Sequence, residues 1–113
     1  MKFVALAALA AALAVPAAFA GTTTLTGTDG PGFTITLKQG SAKVTNLKAG
    51  TYTFQIADKS NIHNFHLKGP GVDKKTGVGF QGNVTWIVKL SKGTYTYVCD
   101  PHKAFMKGSF SVS

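Results

Sequence analysis

VTWIVKLSKGTYTYVCDPHKAFMKGSFSVS, residues 84–113, decides the fold. Val84, Trp86, Val88 and Leu90 recur at every second position, the period of a strand with one buried face. Ser91-Lys92-Gly93 is a tight turn. Thr94 to Cys99 then resumes the alternation, with Tyr95, Tyr97 and Cys99 on a common face. KGSFSVS, from Lys107, closes the chain as a last strand. Between these strands lies CDPHKAFM, Cys99 to Met106, which holds the only cysteine in the chain, one of its three histidines and one of its two methionines.

The same period extends upstream. Thr22–Thr26 is threonine-rich and alternating, Gly27–Gly32 is a turn cluster, and Phe33–Lys38 alternates again. Ala42–Leu47 is a short strand candidate that ends in the turn Lys48-Ala49-Gly50. Thr51–Ala57 puts Tyr52, Phe54 and Ile56 on one face, and His63–Leu67 reads as extended. Lys68–Gly79, rich in glycine and lysine, reads as a long surface loop. It lacks the GK[ST] ending and following helix of a phosphate-binding loop. Phe33, Tyr52, Phe54, Trp86, Tyr95, Tyr97 and Phe110 stand at strand spacing and are expected in the core. No amphipathic helical period appears after residue 20. Seven or eight short strands spaced by roughly ten residues predict an all-β sandwich or barrel. A disulfide-bonded immunoglobulin-like domain is excluded, because a second cysteine is missing.

The first twenty residues differ from the rest. A positive Met1-Lys2 precedes an apolar alanine-rich run to Val15, Pro16 breaks it, and Ala18-Phe19-Ala20 is an A-x-A cleavage site. Residues 1–20 are therefore expected to be a secretory signal peptide cleaved at about Ala20/Gly21, with residues 21–113 as a single exported domain. The run is too short for a membrane anchor, so no stable membrane insertion is expected. The form of the signal points to the periplasm. All twelve basic residues of the chain are lysines, against four aspartates and no glutamate, and the formal charge is +8. Losing Lys2 lowers it to about +7. Without arginine or a basic cluster longer than Lys74-Lys75, nucleic acid is not the expected partner. The charge suits an acidic one, or an anionic surface.

A lone thiol in an oxidising compartment needs burial, an intermolecular bridge or a metal. The candidate donors are His63, His66, Cys99, His102 and Met106. Soft sulfur with imidazole suits copper, and two histidines, one cysteine and a weak axial methionine make a blue-copper set. Zinc prefers four strong ligands, and no CxxC supplies them. His66 stands three residues after His63 in an extended segment, where side chains alternate. It is expected on the opposite face, as a surface or hydrogen-bonded histidine rather than a ligand.

YVCDPHKAFMKGSFSV, with His63-Asn64 upstream, resembles the cupredoxins: small blue (type 1) copper proteins of the plastocyanin, pseudoazurin and amicyanin type. Their pattern is Y-x-C-x-P-H, a short loop, Met, Gly and a final strand. The resemblance spans the exported chain in length and strand order and is specific at these two motifs. It implies a Greek-key β-sandwich and one type 1 copper ion. His63, Cys99 and His102 would be equatorial ligands and Met106 the axial one. Asn64 would tie the two ligand segments together and Pro101 would stiffen the turn, both outside the ligand set. The three residues between His102 and Met106 are a departure, intermediate between amicyanin-like and plastocyanin-like loops.

The implied function is one-electron transfer in the periplasm by a monomer, with copper cycling between Cu(I) and Cu(II). His102 and Phe105 would form the electron port, ringed by Pro101 and Pro70, facing redox partners with an acidic docking patch. The alternative is a copper chaperone or buffer without a redox role. An enzyme is not expected, since three histidines cannot supply the second copper site of the multicopper oxidases or nitrite reductases.

Overall fold

The computed structural model describes residues 22–113, so the expected signal peptide at 1–20 lies outside the described residues. Among the described residues ten strands occur: β1 Thr23–Asp29, β2 Ile35–Gln39, β3 Ala42–Lys43, β4 Asn46–Leu47, β5 Gly50–Asp58, β6 His66–Gly69, β7 Val72–Lys75, β8 Gly82–Leu90, β9 Gly93–Val98 and β10 Lys107–Val112. Among the described residues one 3₁₀ turn occurs, at Asp100–His102. The strands form two five-stranded sheets, in the orders β3-β2-β1-β5-β8 and β4-β10-β9-β6-β7. The result is the all-β sandwich expected from the alternation.

Each sheet mixes one parallel pairing, β1 with β5 and β4 with β10, into otherwise antiparallel ladders. The inward sets of the two sheets meet in one core. Leu25, Leu37, Phe54, Ile56, Val88 and Leu90 come from the first sheet. Leu47, Leu67, Tyr95, Tyr97, Phe110 and Val112 come from the second. Phe65 stacks on Tyr97 at 5.6 Å and Tyr95 on Phe110 at 5.3 Å, in the offset range that favours aromatic pairs. The outward positions carry the charge, and all eleven lysines after residue 20 are exposed.

Three expectations need correction. The stretch 68–79 is not one long loop: β6 and β7 form a hairpin inside it, turning at Pro70-Gly71, where Gly71 takes φ +69°. Its lysines and Asp73 are the outward and edge positions of a short edge strand, so the polarity that suggested a loop belongs to a protected sheet edge. Residues 42–47 are not one strand either. Ala42–Lys43 pairs with β2 and Asn46–Leu47 with β10, so the segment crosses from one sheet to the other. Phe33 is not a core residue, being 56% exposed. It keeps the inward parity of Ile35 and Leu37 but lies two residues before β2 begins, so its ring falls over one pole of the sandwich.

That pole gathers the loops 30–34, 59–65, 76–81 and 99–106, and with them every candidate ligand. Pro70 lies at the opposite pole, against Gly93, with its carbonyl facing the Tyr95 hydroxyl. It takes no part in a ring around His102.

Candidate metal centre

Cys99 immediately follows β9, so the sheet holds its Cα while its side chain keeps the inward parity of Tyr95 and Tyr97. The chain then turns at once. Pro101 sits in the first turn, where its fixed φ suits a 3₁₀ start and its missing N–H costs nothing. The His102 N–H donates to the Cys99 carbonyl at 3.0 Å. The Phe105 and Met106 N–H groups donate to the His102 carbonyl at 3.1 and 2.8 Å. The Cys99 N–H donates to the Met106 carbonyl at 3.0 Å, closing the octet. The three residues between His102 and Met106 therefore form a compact turn that returns Met106 beside Cys99, with its side chain buried.

His63 enters from the 59–65 loop. Its Nδ1 lies 3.7 Å from Cys99 Sγ, and His102 Nδ1 lies 3.6 Å from the same sulfur. The two Nδ1 atoms are 3.1 Å apart. A metal in a trigonal plane with bonds of about 2.0 Å to nitrogen and about 2.3 Å to sulfur needs donors about 3.5 Å (N to N) and about 3.7 Å (S to N) apart. The two sulfur–nitrogen distances meet that requirement, and the nitrogen–nitrogen distance of 3.1 Å is somewhat shorter than it. His63 and Cys99 are fully buried and His102 half-buried. Among the described residues this is the one cluster of three or more His, Cys, Asp or Glu donors that is close enough to hold an ion.

Asn64 binds the two ligand segments to each other. Its N–H reaches Cys99 Sγ at 3.4 Å. Its Nδ2 donates to Asp100 Oδ2 at 2.8 Å and to the Thr76 carbonyl at 3.1 Å, and its Oδ1 accepts from the Asp100 N–H at 2.7 Å. Burial pushes the Cys99 thiol up, and the backbone N–H groups of Asn64 and His102 pull partly the other way. A cation at the three donors would overcome the cost of that burial by ionising the thiol.

His66 stands apart from the cluster, as expected, and bonds to Asp100 and Asp73. Strand β6 begins only at His66, and His63, Asn64 and Phe65 before it are all buried, so the loop and not strand alternation separates the two histidines.

Phe33 is the residue at the site that sequence reasoning missed. Its ring stands edge-on to both His63 and His102 at 5.1 Å, and 6.0 Å from Phe105. The signal that could have placed it is the turn Pro31-Gly32 directly before it, which ends the core-facing run. Phe105 is 60% exposed and lies 5.7 Å from the His102 ring.

The sequence profile of copper binding proteins of the plastocyanin/azurin family matches residues 31–113. No curated protein sequence matches the chain. Among solved structures, reduced rusticyanin superposes with a TM-score of 0.61 at 23% identity, over 81% of this chain and 79% of that one. A copper(I) form of an amicyanin mutant superposes with a TM-score of 0.52 at 18% identity, over 80% of this chain and 83% of that one. Copper is the cofactor this donor set fits, and His63, Cys99, His102 and Met106 are arranged like a type 1 copper site. On the family match, the fold and the donor cluster, the chain belongs to the plastocyanin/azurin family of copper-binding proteins.

Proposed function

We propose that this protein is a periplasmic one-electron carrier and not an enzyme. His63, Cys99 and His102 would hold one copper ion equatorially, with Met106 as the axial ligand. The observation that carries the reading is the triangle of two Nδ1 atoms and one sulfur, 3.1 to 3.7 Å on its sides, enclosed by the protein. Bound copper supplies a couple between Cu(I) and Cu(II), with its potential tuned by the axial ligand and by hydrogen bonding at the sulfur. The residues do the rest. Asn64 holds the thiolate in place through its N–H and fixes Asp100 through its amide. The closed turn from Cys99 to Met106 keeps three of the four donors in one rigid segment. Phe33 and Phe105 shield the imidazoles and leave part of His102 exposed as the electron port.

Around that port lie the apolar rings of Phe33 and Phe105, both more than half exposed. The lysines spread over the rest of the molecule suit a redox partner with an acidic docking patch. The enclosed donors favour a carrier over a chaperone or buffer, which must give up its ion readily. Among the described residues, no helix is long and apolar enough to cross a membrane.

The test is the visible spectrum of the mature protein loaded with Cu(II). An intense thiolate-to-copper band towards the red is expected, and its absence would overturn the assignment. Met106→Leu is expected to change that spectrum and the electron paramagnetic resonance signal. An unchanged spectrum would remove Met106 from the ligand set. Slow copper transfer to a chelator, with fast reversible electron exchange, separates a carrier from a chaperone.

A further inference from the structure

His66 has no part in the donor cluster, yet both of its ring nitrogens are engaged. Nδ1 lies 2.9 and 3.0 Å from the two oxygens of Asp100, and Nε2 lies 2.6 Å from Asp73 Oδ1. The side chain is only 12% exposed. An ionised carboxylate only accepts hydrogen bonds, so each ring nitrogen faces an acceptor, an arrangement that suits a ring carrying hydrogens on both. A neutral imidazole would suffice to brace Asp100 alone; the second carboxylate is what engages the other nitrogen. Lys75 faces His66 across the β6–β7 ladder and Lys68 faces Asp73. Those ammonium groups act on Asp73 and Asp100 as further cations, but neither makes the short bond to Asp100 that His66 makes.

Asp100 is the residue next to Cys99. Burial pushes its carboxyl up, and the bonds from His66 and Asn64 more than reverse this, leaving it below the ordinary carboxylate value. Its two oxygens face His66, and one of them also accepts from Asn64, so hydrogen bonds hold the carboxyl group in place behind the sulfur-bearing residue. Its two bonds to Asn64 also hold the amide whose N–H reaches Cys99 Sγ. The chain from Asp73 through His66, Asp100 and Asn64 to the sulfur is continuous.

We propose that His66, clamped between Asp73 and Asp100, is a positioning residue for the copper centre that neutralises the Asp100 carboxylate and holds it on Asn64. The inference rests on the copper reading above. Two effects follow from losing the clamp, and they have the same sign. An uncompensated carboxylate near the site favours the more positive, oxidised state. A loosened Asn64 N–H weakens the hydrogen bond at the sulfur, which favours the oxidised state as well.

The experiment is a double-mutant cycle read by reduction potential, on copper-loaded wild type, His66→Gln, Asp100→Asn and the double variant. The wild-type spectrum is recorded first; if it lacks the thiolate-to-copper band, the copper reading fails and not merely the role of His66. With the band present, His66→Gln is expected to shift the electron-exchange equilibrium with a fixed partner about three- to tenfold towards the oxidised protein. A tenfold change corresponds to about 59 mV for one electron. In the Asp100→Asn background the shift should fall to less than half. An unchanged potential, a rise, or an equal shift in both backgrounds overturns the proposal. A lower melting temperature with an unchanged potential assigns His66 a structural role only, which also overturns it. Independently of any variant's folding, ring ¹⁵N shifts of His66 in the wild-type protein at neutral pH should show both nitrogens protonated. A neutral tautomer would overturn the clamp.

Discussion

Asn64 makes four hydrogen bonds, and three of them end on Cys99 or Asp100, across thirty-five or thirty-six positions of sequence. Buried amide bonds of this kind are expensive to break, because each orphaned partner keeps its desolvation cost. Asn64→Ala strands the Asp100 N–H and the Thr76 carbonyl. It is expected to cost about 2–4 kcal/mol of unfolding stability in a urea titration. A second residue-level prediction concerns Asp29. Its carboxyl is fully buried beside Asp58, and no donor reaches either of its oxygens among the described residues. Burial, followed by the neighbouring Asp58, pushes it up to about 8. Between about pH 4 and 8 the folded chain then binds a proton that the unfolded chain has lost. Stability of the metal-free protein is therefore expected to fall as pH rises through that window, by at most about 1.4 kcal/mol per pH unit. Asp29→Asn should flatten the dependence. Equal slopes for the two proteins would place the pH sensitivity elsewhere.

At the scale of elements, the β6–β7 hairpin and β9 meet through Gly69 and Tyr95. A Cβ at Gly69 would overlap the Tyr95 ring, whose hydroxyl accepts from the Ser91 N–H and donates to the Ser91 carbonyl, both at 2.9 Å. The ring is thus pinned at its far end and has no room to withdraw. Gly69→Ala is expected to lower stability by about 1–3 kcal/mol, as overpacking of a tight core does. Thermal unfolding checks this, and a melting temperature within error of wild type would show that the hairpin yields instead. Because that contact lies at the pole away from the metal donors, the thiolate-to-copper band of the variant should keep its position.

For the molecule as a whole, the distribution of charge matters more than its total. All eleven lysines after residue 20 are exposed, whereas Asp29 and Asp58 are buried and Asp73 and Asp100 are both bonded to His66. The surface is therefore nearly all of one sign. Association with an acidic redox partner should slow markedly as ionic strength rises from about 0.01 M to about 0.15 M, where the Debye length shrinks from roughly 30 to roughly 8 Å. Stopped-flow electron transfer measures it. Oxidation by an uncharged small molecule serves as the control and should change little. A partner rate that is flat across that range would argue that the apolar surface at His102 alone governs docking.

The sequence by itself determined the strands that bury one face, because a period of two is written directly into residues 51–57, 84–90 and 94–99. It also determined the donor types, since one thiol with an imidazole three residues on and a thioether four further along restricts the chemistry of the metal before any folding is considered. What only the tertiary structure decided was closure. Whether Met106 returns to Cys99 depends on the backbone bonds of one turn, and whether His63 meets His102 depends on two loops separated by thirty-nine positions. Phe33 carries the parity of a core residue and becomes part of the site because β2 starts two residues late. The β7 strand was hidden because an edge strand has only one neighbour and little to bury, so its aspartate and lysines, with glycines on either side, look like those of a loop. His66 shows the same limit at a single side chain. The sequence kept it out of the ligand set, but the two carboxylates that hold it come from a neighbouring strand and from the ligand turn, and only the pairing of β6 with β7 and β9 in one sheet brings them to one ring.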